Sequence, residues 1–286
     1  MILGLLSAVT YGAADFMGGY MTKRASVFAV VVNSQLFGSV VILAALPFFL
    51  DSKLTSGALF WGGLSGLAGG AGVAFFYQGL SVGRMSAIAP VTGVEAAAIP
   101  VVFGLLAGER PGMLPMLGVL LALVAVALIS SSPSDGVLVS ARGSGLASRL
   151  RDAGLLHAFA AGLGFGFFFI FLSYAGDDTG MWPLVGARIA SISVVAVAAL
   201  AARRSMKAER AVLPGIAITG ALDVAANILY LLASRQGLLS LVAVLTSMYP
   251  ASTVVLARFV AHEKLWPSQL VGLGVAALGV VLIAGG

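Results

Sequence analysis

The chain has 286 residues, of which 60% are hydrophobic and only 9% are charged. Soluble domains carry about 25% charged residues, and a chain with a mean hydropathy of +1.07 cannot cover itself with polar surface. The composition therefore excludes a soluble globular domain and predicts an all-α integral membrane protein.

Charge and cysteine content narrow the possible partners. The net charge of +5 comes from cations in short loops between apolar runs, so we expect a lipid bilayer and no nucleic acid as partner. The chain has no cysteine and only two histidines, which argues against disulfides, thiolate ligands and a transition-metal site. We expect no cofactor, no bound metal and no catalytic residue.

Ten apolar runs are long enough to cross a bilayer, which takes about 20 residues for a helix. Charged residues, proline or glycine mark the short breaks between them. In chain order, the predicted spans are 2–20, 27–50, 57–80, 85–108, 112–131, 153–174, 181–202, 212–234, 238–261 and 267–285.

A polar segment divides the ten spans into five and five. Residues 130–152 read SSSPSDGVLVSARGSGLASRLRD, and this is the only long stretch rich in Ser, Gly and Arg. The predicted organisation is a first five-helix repeat over 1–132, a linker over 133–152 and a second five-helix repeat over 153–286.

The two halves resemble each other in sequence. At an offset of 154 residues, 13 of the 47 positions from Gly83 to Ile129 match their partners, Glu109 and Glu263 among them. Two copies with five helices each must cross the membrane in opposite directions, because five is odd. This predicts an inverted repeat, an architecture of transporters in which the binding site lies between the repeats.

Loop charge predicts the orientation. Nine loops connect the ten predicted spans. The loops after odd-numbered spans contain eleven Lys and Arg residues, and the loops after even-numbered spans contain three. The eleven are Lys23, Arg24, Arg84, Arg142, Arg149, Arg151, Arg203, Arg204, Lys207, Arg210 and Lys264; the three are Lys53, Arg110 and Arg235. The positive-inside rule therefore places both termini on the periplasmic side.

At the end of each half, an acidic residue precedes an apolar helix that contains glycine. These segments are AGERPGMLPMLGVLLALVAVALI (Ala107 to Ile129) and AHEKLWPSQLVGLGVAALGVVLIAGG (Ala261 to Gly286). With the two five-helix halves, they resemble the EamA-type transporters of the drug/metabolite transporter superfamily. The second copy has His262-Glu263 where the family usually has Gly-Glu. The layout is also similar to that of the YddG-like amino acid exporters, which implies efflux of small metabolites across the bacterial inner membrane.

Polar and ionisable side chains inside the spans are the candidate substrate-binding residues. Such groups are costly in lipid, so they face a cavity or a partner helix. Asp223, Asn227 and Tyr230 share one helix face by their spacing, and Thr92 and Glu95 share another. The predicted set is Asp15, Tyr77, Gln78, Thr92, Glu95, Arg188, Asp223, Asn227, Tyr230, Thr246 and Tyr249.

Three prolines lie inside the repeat-related fourth and ninth spans. Pro90, Pro100 and Pro250 each remove a backbone hydrogen bond, which indicates either a cavity-lining break or an ordinary kink. The glycines of Gly62-x-x-x-Gly66-x-x-x-Gly70 form a close-packing face within the bundle or a dimer contact.

The predicted function is alternating access in a monomeric carrier, whose cavity is lined by spans one, three, four, six, eight and nine. Glu95 and Asp223 are expected to face that cavity and to bind a substrate ammonium or carry a coupling proton. Two alternatives are an intramembrane enzyme, in which Ser81 or the acids do chemistry, and a channel for small polar solutes. Ser81 lies in a G-x-S-x-G match, but that motif needs a strand–turn–helix context.

Overall fold

The computed structural model describes residues 1–22, 24–48, 52–82, 85–130, 153–260 and 265–285. These residues form helices and no strands. The helices are α1 (Ile2–Thr22), α2 (Val27–Ala45), α3 (Ser56–Val82), α4 (Met85–Leu106), α5 (Met113–Ser130), α6 (Ala153–Ser173), α7 (Trp182–Ala201), α8 (Leu213–Ser234), α9 (Leu239–Thr246), α10 (Tyr249–Val260) and α11 (Pro267–Ala284).

Length and hydropathy support eight of the ten predicted spans in the described part of the chain. Within the described residues, eight helical segments are long and apolar enough to cross a membrane. Two shorter apolar stretches, 92–106 and 113–129, lie within the predicted fourth and fifth spans. A helix satisfies its own backbone hydrogen bonds, which is why continuous apolar runs become helices in lipid. The predicted linker 133–152 lies outside the described residues.

The predicted ninth span is two helices rather than one. The helical run ends at Thr246, turns through Ser247 and Met248, and resumes as α10 at Tyr249. Pro250 explains the interruption, because proline has no N–H to donate to the carbonyl of Thr246, four residues earlier. In contrast, α4 continues through Pro90 and Pro100 from Met85 to Leu106.

The helices pack in a pattern that links the two halves of the chain. The α3 helix packs against α6 and α7, and α8 packs against α1 and α2. The α4 helix contacts α6 and α9, α10 contacts α1, and α5 packs along α11. All of these contacts join the residues before the predicted linker to the residues after it.

Glycine permits the closest of these contacts. A Cβ atom at Gly66 would lie 2.0 Å from the carbonyl oxygen of Ala187, and one at Gly220 would lie 2.0 Å from that of Ser34. Any larger residue at either position would push two helices apart. Gly62, Gly66 and Gly70 all face α7, so the predicted glycine stripe packs within the bundle.

Candidate functional site

A cavity of about 160 Å³ lies in the middle of the bundle. Its walls come from α1, α2, α3, α6, α7 and α8, with Tyr249 contributed by α10. Of the predicted lining, the structure places spans one, three, six, eight and nine at the cavity. It adds spans two and seven, whereas no described side chain of α4 lines it, because α4 packs between α5, α6 and α9.

An ion pair between Arg188 of α7 and Asp223 of α8 forms one wall of the cavity. The Arg188 side chain is 12% exposed and that of Asp223 is 35% exposed, so the carboxylate is the more accessible partner. Since a charge at membrane depth is costly without a counter-charge, each of these residues makes the other tolerable.

Asn227 and Tyr11 hold Asp223 in place. The Asn227 amide donates to the Asp223 carbonyl oxygen at 2.6 Å and to its carboxylate at 3.3 Å, as their i, i+4 spacing on α8 allows. The Tyr11 hydroxyl, from α1, donates to the Asn227 side-chain oxygen at 2.9 Å. This network connects α1, α7 and α8, which come from both halves of the chain.

Asp15 lies on α1, one turn beyond Tyr11, and its side chain is exposed to the cavity. The Asp223 carboxylate and the Tyr249 ring line the same cavity. The rings of Tyr11 and Tyr249 lie close together, with their centroids 6.4 Å apart. Asp15 therefore lines the same cavity as the Arg188–Asp223 ion pair but is not part of that pair.

Aromatic rings that sequence reasoning did not single out form a further wall. Phe165, Phe168 and Phe169 of α6 line the cavity together with Phe76 of α3. The edge of the Phe169 ring meets Tyr11, with centroids 6.4 Å apart. The i, i+3 and i+4 spacing of the α6 rings was a usable signal, because these positions share one helix face.

Small polar side chains complete the lining. Ser34 and Gln35 of α2, Ser191 of α7 and Thr219 of α8 all border the cavity. They are largely buried, and among the described residues the Gln35 side-chain oxygen has no hydrogen-bond partner. Polar residues within otherwise apolar spans were the available sequence signal here as well.

Of the predicted binding residues, the cavity brings together Asp15, Arg188, Asp223, Asn227 and Tyr249. Tyr230 is instead fully buried, and its hydroxyl donates to the Phe169 carbonyl at 2.8 Å. The Thr92 hydroxyl donates to the Ala158 carbonyl at 3.2 Å, and Thr246 is fully buried.

The other predicted residues lie on α3 and α4. Glu95 packs against Gly162 of α6, away from the cavity lining, and its buried Oε2 has no hydrogen-bond partner among the described residues. Its predicted role in binding stays a prediction. Gln78 is exposed and does not line the cavity. The Tyr77 side chain lies outside the described part of the structure.

Metal ligands do not gather at this site. Within the described residues, no group of three or more His, Cys, Asp or Glu side chains is placed to hold a metal ion. The chemistry that the cavity offers is charge pairing, hydrogen bonding and contact with aromatic rings.

The comparisons with known proteins agree with this architecture. One chain of known structure, described as the crystal structure of a protein, superposes with a TM-score of 0.76 over 98% of this chain and 94% of its own length. It is 14% identical, so the likeness shows the fold alone. No curated protein matches the chain.

The family comparison is more specific. The model of the EamA-like transporter family matches residues 1–131 and 152–285, which leaves out only a segment around the predicted linker and the last residue. The predicted resemblance to EamA-type transporters of the drug/metabolite transporter superfamily is thereby confirmed. The chain is a multi-pass membrane protein that belongs to the EamA-like transporter family.

Proposed function

We propose that the protein is a secondary transporter that exports amino acids or related small metabolites by alternating access, with the central cavity as its substrate site. The observation that carries this proposal is the Arg188–Asp223 pair beside Asp15 inside an apolar bundle. Charged groups in a membrane interior mark substrate or ion pathways. The cavity of about 160 Å³ is smaller than the 300–1,000 Å³ typical of drug-sized ligands, which favours a small metabolite.

We further propose that the two halves are inverted repeats, which would place this cavity at the repeat interface. The family model matches both halves. The packing of α3 on α6 and α7 has its counterpart in the packing of α8 on α1 and α2. Gly66 and Gly220 are 154 residues apart, the offset of the sequence repeat, and each lies against a carbonyl of a helix from the other half.

The proposal also covers the membrane, the orientation and the oligomeric state of the protein. We propose that the chain lies in the bacterial inner membrane with both termini periplasmic, on the strength of loop charge. Export and an amino acid substrate come from the likeness to the YddG-like exporters. A monomer suffices, because one chain already carries both proposed repeats.

Counterflow in proteoliposomes tests the proposal against its rivals. Purified protein is reconstituted, and uptake of labelled amino acids, polyamines and nucleosides is measured with and without unlabelled solute inside. A carrier gives saturable uptake that internal substrate accelerates, whereas protein-free liposomes give neither.

Two results would contradict the proposal. A flux that rises linearly with concentration and ignores internal solute would indicate a channel. Chemical turnover of a solute by the detergent-solubilised protein, without a sealed vesicle, would indicate an intramembrane enzyme.

A further inference from the structure

Three acidic or basic side chains, Arg188, Asp223 and Asp15, line the described cavity, and they differ in their partners. Arg188 is paired with Asp223, so its positive charge is neutralised within the wall. Asn227 reinforces that arrangement by donating to Asp223, and the Tyr11 hydroxyl in turn donates to Asn227. In the described part of the chain, Asp15 forms no comparable ion pair, although its side chain is exposed to the cavity.

These three side chains give the cavity a net negative charge when both acids are ionised. When Asp15 is ionised, the two carboxylates outnumber the single guanidinium, and the excess negative charge belongs to Asp15. A membrane interior disfavours an uncompensated charge, so occupancy by one positive charge beside Asp15 is favoured.

A zwitterion fits this charge distribution poorly. Its ammonium group would pair with Asp15, but its carboxylate would add a further negative charge to a cavity in which Asp223 already balances Arg188. A bound zwitterion would therefore leave the excess negative charge in place, and an unbalanced charge in a buried site is costly. An amine without a carboxylate needs only Asp15.

The walls suit the rest of such a molecule. Phe76, Phe165, Phe168 and Phe169 present an apolar surface, and the Tyr249 ring lines the same cavity as Asp15. Aromatic ring faces attract ammonium groups and also pack against an apolar or aromatic body.

We propose that the cavity selects small monocationic amines over the zwitterionic amino acids that share their side chains, with Asp15 as the counter-charge. This inference rests on the proposed function, because it names the substrate class of the same site. Of the two substrate classes in that proposal, it favours the related small metabolites, as amines without a carboxylate, over the amino acids themselves.

Two pairs of compounds test the inference, because each pair differs only by a carboxylate. Binding of tyramine and tyrosine, and of phenethylamine and phenylalanine, is measured by calorimetry on the purified wild-type protein. We expect each amine to bind at least about tenfold more tightly than its amino acid. The Asp15→Asn variant should weaken amine binding by at least about tenfold, while Glu209→Gln, the same chemical change at an exposed loop position, should not.

The wild-type comparison does not depend on how well any variant folds. Equal or tighter binding of the amino acids, or amine binding that Asp15→Asn leaves unchanged in a folded protein, would overturn the inference. Counterflow of another solute class without amine binding would also overturn it, yet leave the proposed transporter function standing. A lack of saturable counterflow for every solute would instead overturn the proposed function.

Discussion

The Arg188–Asp223 pair is the residue-scale feature with the clearest energetic consequence. If Asp223 becomes Asn, the buried guanidinium keeps its charge but loses its counter-ion. Since a hydrogen bond to a charged group is worth roughly 1.5–3 kcal/mol, we expect Asp223→Asn to lower the thermal unfolding midpoint in detergent. Neutralising both residues, as Arg188→Gln with Asp223→Asn, should recover part of that loss because no unpaired charge remains.

With the Arg188→Gln single variant and the wild type added, these proteins form a double-mutant cycle. Scanning fluorimetry of the wild type, both single variants and the double variant gives the coupling between the two residues. Additive losses, with the double variant destabilised by the sum of the single variants, would contradict a stabilising pair.

The sequence shows which polar residues lie within the membrane spans, but it does not always show which of them line the cavity. Asp223, Asn227 and Tyr230 share a helix face, and the first two meet at the cavity. Tyr230 does not, because seven residues along a helix amount to about 10.5 Å of rise, which takes it past the cavity. There it bonds the Phe169 carbonyl. Helical periodicity predicts which face of a helix a residue lies on. Whether the residue is level with the cavity depends on how the neighbouring helices pack.

At the scale of elements, Glu109 joins the two halves of the chain. Gly108 has φ +101° just after α4, and the Glu109 carboxylate then accepts from the amides of Leu239 at 2.6 Å and Ser240 at 3.0 Å. These are the first two residues of α9, whose N-terminal amides have no partner within the helix. The repeat-related Glu263 lies outside the described residues.

We therefore expect Glu109→Gln to destabilise the protein, because an amide carries no negative charge and offers one acceptor oxygen where the carboxylate offers two. The expected loss is roughly 1.5–3 kcal/mol, the value of a charged hydrogen bond. Thermal unfolding in detergent measures it, with the exposed Glu209→Gln as the matched control. Equal midpoints for the two variants would show that the contact does not stabilise α9.

Helix positions were largely predictable from the sequence, since long apolar runs leave few alternatives in lipid. The interruption of the helix at Ser247 and Met248 was harder to predict from the sequence. Pro250 indicated a break or a kink, but Pro100 has the same backbone chemistry and leaves α4 continuous. Whether a proline ends a helix therefore depends on whether neighbouring groups can satisfy the carbonyl that loses its hydrogen bond. A single sequence does not show this.

For the whole molecule, the pairing of helices determines where the cavity lies. Close contacts at Gly66 and Gly220 bring α3 to α7 and α8 to α2, and the cavity occupies the space between these pairs and α1 and α6. The five-plus-five division of the sequence predicted a site between the halves. Arg188 was the sequence indication for span seven. Span two was not predicted to line the site, because its polar residues, among them Ser34 and Gln35, carry no charge.

We expect this cavity to be a transport pathway that is reached alternately from the two sides of the membrane. The absence of cysteine from the native chain allows a direct test with single-cysteine variants. Ser191→Cys places a thiol in the cavity wall on α7, and Val197→Cys places one on the same helix at a lipid-facing position that is 64% exposed. Membrane-impermeant thiol reagents are applied to right-side-out and inside-out vesicles, with and without substrate.

We expect the Ser191→Cys thiol to react from both sides and substrate to slow the reaction, whereas the Val197→Cys thiol should react from neither side. Failure of the Ser191→Cys thiol to react from one of the two sides would contradict alternating access. Reaction from both sides at rates that no transported solute changes would show that the cavity is not the substrate site.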